Sequence, residues 1–391
     1  MIHVVELDAR HVCVPLKRAI EHASHYRTET DNIVVRCKLS DGSIGYGEGV
    51  PRDYVTGETV ETALDLIAQS NLGSQFKPCK DFEAAVRLVE QFQLESVPGD
   101  DRQIRGNSAR CAVELALLDA YGRSFGEPLM NVTKLLAPDL YEPQSKVQYC
   151  FAVTKARKLK ARLYPLVGRL MGFKQLKLKV GISDIDDVAR TRIVRRFAGS
   201  KMAIRVDANE AWKPEEVVDR IRELEPFNIT SVEQPVKHAD VACLKAVRTQ
   251  VKTPIMLDES LCSMVDAERA IAGEWCDLFN LRLSKCGGFI PTLRLAEFAK
   301  KRGIGYQLGC QVGETAILSA AGRHFATSVA NIRDLEGSYD RHLVLNNLSL
   351  EDITFKRGGW APMLTGSGLG ITIDPAKVEA ITIRREVILG G

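Results

Sequence analysis

Five charged residues follow one another through the middle of the chain at nearly equal intervals. They are Lys179, Asp207, Glu233, Asp258 and Lys285, separated by 28, 26, 25 and 27 residues. Each stands at or just after the end of a short apolar segment typical of a strand. Any one of them alone would commonly be a helix cap or a solvated loop residue. Because one interval is about the length of a strand plus a helix, a parallel barrel would place all five at one mouth.

The three acids of this set predict a cation site. Three carboxylates in one small mouth repel one another, and without a cation at least one would have to take up a proton. A bound divalent cation removes this repulsion. Ligation by carboxylates alone suits a hard cation. Asp207, Glu233 and Asp258 are therefore predicted to bind Mg²⁺, with Mn²⁺ as the alternative and Zn²⁺ disfavoured.

The lysines predict proton transfer. Lys177 and Lys179 alternate on a predicted strand, so both side chains point to one side, here the barrel interior. Lys179 and Lys285 would approach from opposite sides of the ring. Burial and neighbouring cations lower the pKa of a lysine, so that its neutral amine can act as a base. The predicted reaction removes a proton next to a substrate carboxylate and leaves an enolate that the metal stabilises.

The segments around these residues alternate between strand and helix patterns. Eight segments have the composition of strands, and amphipathic segments lie between them: 147–153, 175–180, 203–206, 231–232, 255–257, 278–281, 305–308 and 331–335. Repeated strand-then-helix units favour a parallel sheet, and eight of them favour closure. The predicted fold is an α/β protein built on a modified, TIM-like (β/α) barrel.

The first part of the chain predicts a second unit. Alternating segments at 33–39 and 44–48 flank Asp41-Gly42, the pattern of a hairpin. Helical spacing follows, at 58–69, 81–93 and 107–126. We therefore predict three regions: an α+β capping domain over 1–140, the catalytic barrel over 141–355, and a C-terminal segment over 356–391 that returns to the capping domain.

Bulk properties exclude several classes of partner. The chain has 391 residues and a net charge of +3, an excess too small to indicate nucleic-acid binding. No uncharged apolar run approaches the roughly 18 residues that a membrane span requires. The ten cysteines show neither CxxC nor zinc-ligand spacing, which favours reduced core thiols. We expect a cytoplasmic protein without nucleic-acid or membrane partners.

These motifs resemble those of the enolase superfamily, in its muconate-lactonising (muconate cycloisomerase) subgroup. The matching motifs are Lys177-Leu178-Lys179, Asp207-Ala208-Asn209, Glu233-Gln234-Pro235, Asp258-Glu259-Ser260, Lys285-Cys286-Gly287-Gly288 and Gly47-Glu48. The resemblance implies that Lys179 and Lys285 are the acid and base, that Lys177 supports them, and that the three acids bind the metal. The mandelate-racemase branch has a His near the seventh strand, whereas the stretch 309–315 contains none.

The resemblance also implies where the substrate binds. The run 54–59 is similar to dipeptide epimerases of the subgroup, which hold the dipeptide ammonium with Asp-x-Asp at the eighth strand. This chain has Asp334-Leu335-Glu336 there. With Glu314 at the seventh strand, Asp334 and Glu336 are the predicted substrate contacts. The capping loops that choose the substrate are expected at 18–27 and 51–58.

Other substrates fit the sequence as well. Arg52 and Arg333 would suit a second substrate carboxylate, as in muconate or succinylbenzoate chemistry. The leading prediction is a metal-dependent isomerase of a small carboxylate, either a cycloisomerase or an epimerase with racemase-type proton transfer. The alternatives are a lyase of the o-succinylbenzoate synthase type and a barrel that binds a small acid without turning it over. By family analogy the protein would form a homo-oligomer.

Overall fold

A computed structural model of the chain describes residues 1–21, 26–153, 158–345 and 347–390. The strands of these residues, in chain order, are β1 (Val4–Glu21), β2 (Tyr26–Leu39), β3 (Ile44–Gly49), β4 (Lys146–Gln148), β5 (Phe151–Val153), β6 (Gln175–Lys179), β7 (Ala203–Asp207), β8 (Ile229–Glu233), β9 (Ile255–Leu257), β10 (Leu278–Leu281), β11 (Gly305–Leu308), β12 (Ile332–Leu335), β13 (Trp360–Pro362) and β14 (Thr382–Leu389). The α-helices are α1 (Asp53–Thr56), α2 (Val60–Gln69), α3 (Leu72–Gln75), α4 (Phe82–Gln91), α5 (Asn107–Phe125), α6 (Asn131–Leu136), α7 (Lys158–Met171), α8 (Asp187–Ala198), α9 (Val217–Leu224), α10 (Leu244–Arg248), α11 (Met264–Ala272), α12 (Phe289–Lys301), α13 (Ala316–Ser328), α14 (Asp340–Leu343) and α15 (Pro375–Ala380). The predicted fold class, a modified (β/α) barrel with an N-terminal α+β domain, is confirmed.

The barrel sheet contains β5 to β12, each parallel to and paired with its chain neighbour. A hydrogen bond of 2.8 Å from Cys150 N to Leu335 O links its first and last strands. Seven of the eight predicted strands are found within two residues of their expected ends. The exception is 147–153, which divides into β4 and β5. The first piece leaves the barrel because it pairs antiparallel with the distant β13, a partner that local alternation cannot reveal.

The N-terminal sheet has the order β14-β1-β2-β3, so the chain's last strand lies beside its first. The predicted hairpin is formed by β2 and β3, which pair antiparallel. Helix α5 lies directly across β3. A Cβ atom at Gly47 would stand 2.0 Å from Ala112 O of that helix, so only glycine permits the contact. Strand β3 and helix α5 therefore form one closely packed unit beside the barrel.

Glu48 of β3 joins this domain to the barrel. Its carboxylate is fully buried and caps the start of α13. It accepts hydrogen bonds from Thr315 Oγ1 at 2.8 Å, Thr315 N at 3.0 Å and Leu318 N at 3.1 Å. Asn32 Nδ2 donates both to Glu48 Oε1 and to Gly313 O. The loop that precedes α13, where Glu314 lies, is therefore positioned by the N-terminal domain.

We expect Glu48→Ala to destabilise the protein substantially. The substitution leaves buried backbone N–H groups and a hydroxyl without an acceptor, and each unpaired donor costs about 1–3 kcal/mol. It also removes a favourable acid from a helix N-terminus. Chemical denaturation followed by circular dichroism should show a clearly lower midpoint. Glu83→Ala, at an exposed site on α4, should leave the midpoint unchanged. An equal midpoint for both variants would contradict the assigned role.

Two further sequence expectations concern membrane spans and cysteines. None of the helices in the described ranges has the length and apolar composition to cross a membrane. All ten cysteines, which lie within those ranges, are unpaired, and seven of them are buried. Most of them belong to the buried hydrophobic core, as expected for thiols that serve as core side chains.

Candidate active site

The five evenly spaced residues meet at the carboxyl end of the barrel. Lys179, Asp207 and Glu233 are the last residues of β6, β7 and β8. Asp258 directly follows β9, and Lys285 lies in the turn after β10. The last four side chains are at most 1% exposed, and Lys179 is half-buried. The structure therefore brings together the set that the spacing predicted.

Lys177 lies between the acids. Its Nζ is 2.9 Å from Asp207 Oδ2, 2.9 Å from Glu233 Oε1 and 3.1 Å from Glu336 Oε1. Burial alone would lower the pKa of Lys177, but Asp207, Glu233 and Glu336 outweigh it and hold that pKa well above its usual range. These contacts favour the charged form of Lys177.

The two outer lysines have different surroundings. The Nζ of Lys179 donates to Asn209 Oδ1 at 2.7 Å, and burial lowers its pKa. The Nζ of Lys285 donates to Asp258 O at 2.7 Å, Asp258 Oδ1 at 2.9 Å and Asn280 O at 2.9 Å. Burial opposes charge on Lys285, but Asp258 raises its pKa overall. An amine with a lowered pKa and a well-paired ammonium therefore lie four strands apart in an eight-stranded ring.

The three predicted metal ligands are turned towards neighbouring cations in this structure. Asp207 and Glu233 contact Lys177, whereas Asp258 contacts Lys285 and Arg282. No three His, Cys, Asp or Glu side chains of the described ranges are gathered as metal ligands.

The donor set nevertheless fits a hard cation. Glu233 Oε2 is buried and accepts no hydrogen bond from the described residues, and Asp207 Oδ2 has Lys177 as its neighbouring cation. Burial and the nearby Asp207 carboxylate raise the pKa of Glu233 to about 7, which measures how poorly its charge is compensated. A divalent ion among these oxygens would supply the missing positive charge.

Sequence reasoning missed two arginines at the site. Arg282 contacts Asp258 Oδ2 and lies 3.5 Å from Glu233 Oε1. Arg205 is 1% exposed, contacts Glu336 Oε1 and lies 3.5 Å from Asp334 Oδ1. A signal was present in the sequence, since Arg205 stands two positions before Asp207 on β7. Alternation puts both on the inner face of the barrel.

The residues that follow two of the acids hold neighbouring turns. Asn209 and Gln234 have φ of +43° and +35°, backbone angles that residues other than glycine adopt infrequently. Gln234 Oε1 accepts from Asp258 N at 2.9 Å and from Ser260 N at 3.2 Å. Asn209 Nδ2 donates to Glu259 Oε1 at 3.4 Å. Such backbone strain is commonly maintained where a site must be held in one geometry.

The predicted substrate contacts occupy the seventh and eighth strand ends. Glu314 and Glu336 line one small cavity together with Cys310. Glu314 Oε1 accepts from Gln311 N at 2.6 Å, and burial raises the pKa of Glu314 to about 8. Asp334 is partly exposed, and its pKa is raised by burial despite the nearby Arg205.

Neither of the two arginines proposed as carboxylate anchors presents a free guanidinium to the barrel mouth. The Arg52 guanidinium is occupied, because it donates to Thr30 Oγ1 and to the carbonyls of Asp31, Pro51 and Val312. It ties the N-terminal domain to the barrel and is not free to bind a substrate carboxylate. Arg333 points to solvent.

The expected capping loops are described in part. The segment 51–58 contains α1, and Val55 packs against Ile104 and Cys262, next to the turn that carries Asp258. This segment therefore lies against the turn that follows β9, and its role as a capping loop stays a prediction. Of the other expected loop, 18–27, residues 22–25 lie outside the described residues.

The sequence and the fold of this chain are similar to those of known proteins. Residues 4–134 match the model of the mandelate racemase / muconate lactonizing enzyme N-terminal domain, and residues 166–377 match the enolase C-terminal domain-like model. The hydrophobic dipeptide epimerase of Enterococcus faecalis is 30% identical over 94% of this chain and 99% of its own. The N-succinyl-L-Arg/Lys racemase of Bacillus cereus is 28% identical over 96% of each chain. The dipeptide epimerase of Cytophaga hutchinsonii, solved with Mg and D-Ala-L-Val, superposes with a TM-score of 0.82 at 26% identity, over 99% of this chain and 100% of its own.

Proposed function

The chain belongs to the mandelate racemase / muconate lactonizing enzyme family of the enolase superfamily and is an isomerase-type enzyme, and from this premise we propose that it epimerises dipeptides at the carbon next to the terminal carboxylate. The observation that carries the proposal is the pair Lys179 and Lys285, which lie four strands apart at the barrel mouth, with the strands that carry the three buried carboxylates between them. Inversion of a carbon centre requires one group on each face, one to take the proton and one to return it.

The protein's own groups account for the proton transfer. Lys179, with its lowered pKa, would remove the proton as a neutral amine on one face. Lys285, held as an ammonium by Asp258, would deliver a proton to the other face. In the reverse direction the two exchange roles. Lys177 would keep a positive charge beside the substrate carboxylate throughout, which lowers the cost of the negative charge that develops there.

Asp207, Glu233 and Asp258 would hold a Mg²⁺ ion, with Mn²⁺ as a second hard cation of the same ligand preference. When bound, this ion supplies positive charge that offsets the charge on the substrate carboxylate. The Cytophaga hutchinsonii enzyme, solved with Mg and a dipeptide, supports this choice of metal.

A second candidate function is racemisation of N-acyl amino acids. It is favoured by the position of Glu336, whose carboxylate is already paired with Lys177 and Arg205. A carboxylate held by two cations attracts a third, such as the ammonium of a dipeptide, only weakly. Asp334 would then be the acid left for an ammonium. The N-succinyl-L-Arg/Lys racemase of Bacillus cereus is a relative of this kind.

Proton exchange in deuterated water tests both candidates. We expect Mg²⁺-dependent uptake of one deuterium next to the carboxylate, together with inversion at unchanged heavy-atom composition, when the purified enzyme meets a panel of dipeptides, N-succinyl amino acids and muconate. Mass spectrometry and chiral chromatography follow the two events. Exchange limited to N-succinyl amino acids would favour the second candidate, and loss of water would indicate a lyase. Binding of a panel member with no exchange would overturn the proposal.

A further inference from the structure

The turn that carries Lys285 is held from outside the barrel. It runs from residue 282 to 288, between β10 and α12. Val50 N of the N-terminal domain donates to Ser284 Oγ at 2.7 Å. Glu114 of α5 accepts from Ile290 N at 2.9 Å, just beyond the turn. The turn and the first residues of the helix after it are therefore both hydrogen-bonded to the N-terminal domain.

The centre of the turn is tied by Asn107, the first residue of α5. Its Nδ2 donates to Lys285 O at 2.7 Å and to Cys262 O at 2.8 Å. Cys262 lies in the turn that follows Asp258, and Asp258 is the residue that accepts from Lys285 Nζ. One amide thus fixes the backbones on both sides of the Lys285–Asp258 pair.

The two glycines after Lys285 make this contact feasible. Gly287 and Gly288 have φ of +90° and +124°. A Cβ at Gly287 would lie 3.2 Å from Asn107 Oδ1, and one at Gly288 would lie 2.4 Å from Glu114 Oε1. Two side chains of α5 therefore lie against the turn, and a Cβ at Gly288 would have to displace the Glu114 carboxylate.

We propose that Asn107 is a positioning residue for Lys285, so that the N-terminal domain determines where the amine of one of the two acid/base groups lies. The inference rests on the proposed function for its meaning in catalysis, but its geometry is independent of substrate. Asn107 touches neither Lys285 Nζ nor the carboxylates, and it acts through the backbone. Displacement of a reacting group by about 1 Å can cost about 10²-fold in rate, so a single tether is enough to matter.

The test compares Asn107→Ala and Asn107→Asp with Asn131→Ala in the full chain with Mg²⁺. Alanine is a better helix former than asparagine, so α5 should persist, and the Asp variant keeps the shape but loses the amide donor. The side chain of Asn131, in α6, donates to the nearby Glu127, and Asn131 serves as the matched control. We expect both Asn107 variants to lower kcat by about 10- to 100-fold with little change in KM.

Two readouts separate positioning from general damage. Deuterium uptake should fall more on the face that Lys285 serves than on the face of Lys179, whereas a merely structural defect would lower both equally. A second readout needs no substrate: acylation of Lys285 by an amine-reactive reagent, measured by mass spectrometry, should become several-fold faster. The acylation rate of Lys179 should be unchanged. If the Asn107 variants fold and label Lys285 at the rate of the wild-type protein, the proposal is overturned. If the wild-type enzyme exchanges no compound, the proposed function has failed, and the labelling still decides the role of Asn107.

Discussion

Lys285→Ala is expected to abolish epimerisation, with turnover reduced by about 10³-fold or more, because a positioned acid/base group typically contributes about 10²–10⁴-fold. Lys179 would survive on the other face and could still remove and return a proton there. One epimer of the substrate should therefore exchange its proton for deuterium without inversion, and the opposite epimer should not exchange. Lys179→Ala should show the reverse pattern. Proton NMR in deuterated water measures both events.

Two controls keep this prediction specific. Removing Lys285 leaves Asp258 and the carbonyl of Asn280 without their buried donor, so the loss of activity must be separated from unfolding. Lys285→Met keeps most of the side-chain volume and should behave like the alanine variant. Lys174→Ala, at an exposed site just before β6, should retain full activity. Equal exchange of both epimers by a folded Lys285 variant would exclude the two-lysine mechanism.

The roles of these lysines also mark what the sequence can and cannot predict. Equal spacing along the chain predicted that Lys179 and Lys285 share a mouth, because each β/α unit advances one step around the ring. The opposite directions of their pKa shifts could not be predicted. They depend on how the folded barrel buries each amine and, for Lys285, on the Asp258 carboxylate from a neighbouring turn.

The same limit applies to the substrate contacts. Asp334 and Glu336 were predicted as an altered ammonium site from their position after the eighth strand. That Glu336 is paired with Arg205 depends on the adjacency of β12 to the first strands of the ring, which only barrel closure creates. The hydrogen bond from Asn107 to Lys285 O likewise joins two domains, and no local sequence pattern in either segment indicates it.

Glu233→Gln is expected to cause a loss comparable to that of the lysine variants, by removing the metal. The amide keeps the size of the side chain and can still accept from Lys177 and Asn280, whose donors lie 2.9 and 2.8 Å from Glu233 Oε1. It cannot supply negative charge to a cation. We therefore expect a folded protein whose affinity for Mg²⁺ falls by about 10²-fold, in line with the loss of a charged ligand from an all-oxygen site.

Thermal unfolding measures this loss without any substrate. A ligand at 100 times its Kd stabilises the folded state by about 2.7 kcal/mol, so Mg²⁺ should raise the Tm of the wild-type protein and a chelator should reverse the shift. In Glu233→Gln the shift should disappear at the same Mg²⁺ concentration. Glu223→Gln, an identical change at an exposed site on α9, should keep it. An equal shift in Glu233→Gln and wild type, or full activity of the chelated wild-type enzyme, would mean that the three acids serve only as counter-ions to Lys177, Arg282 and Lys285, the pairing they already have in this structure.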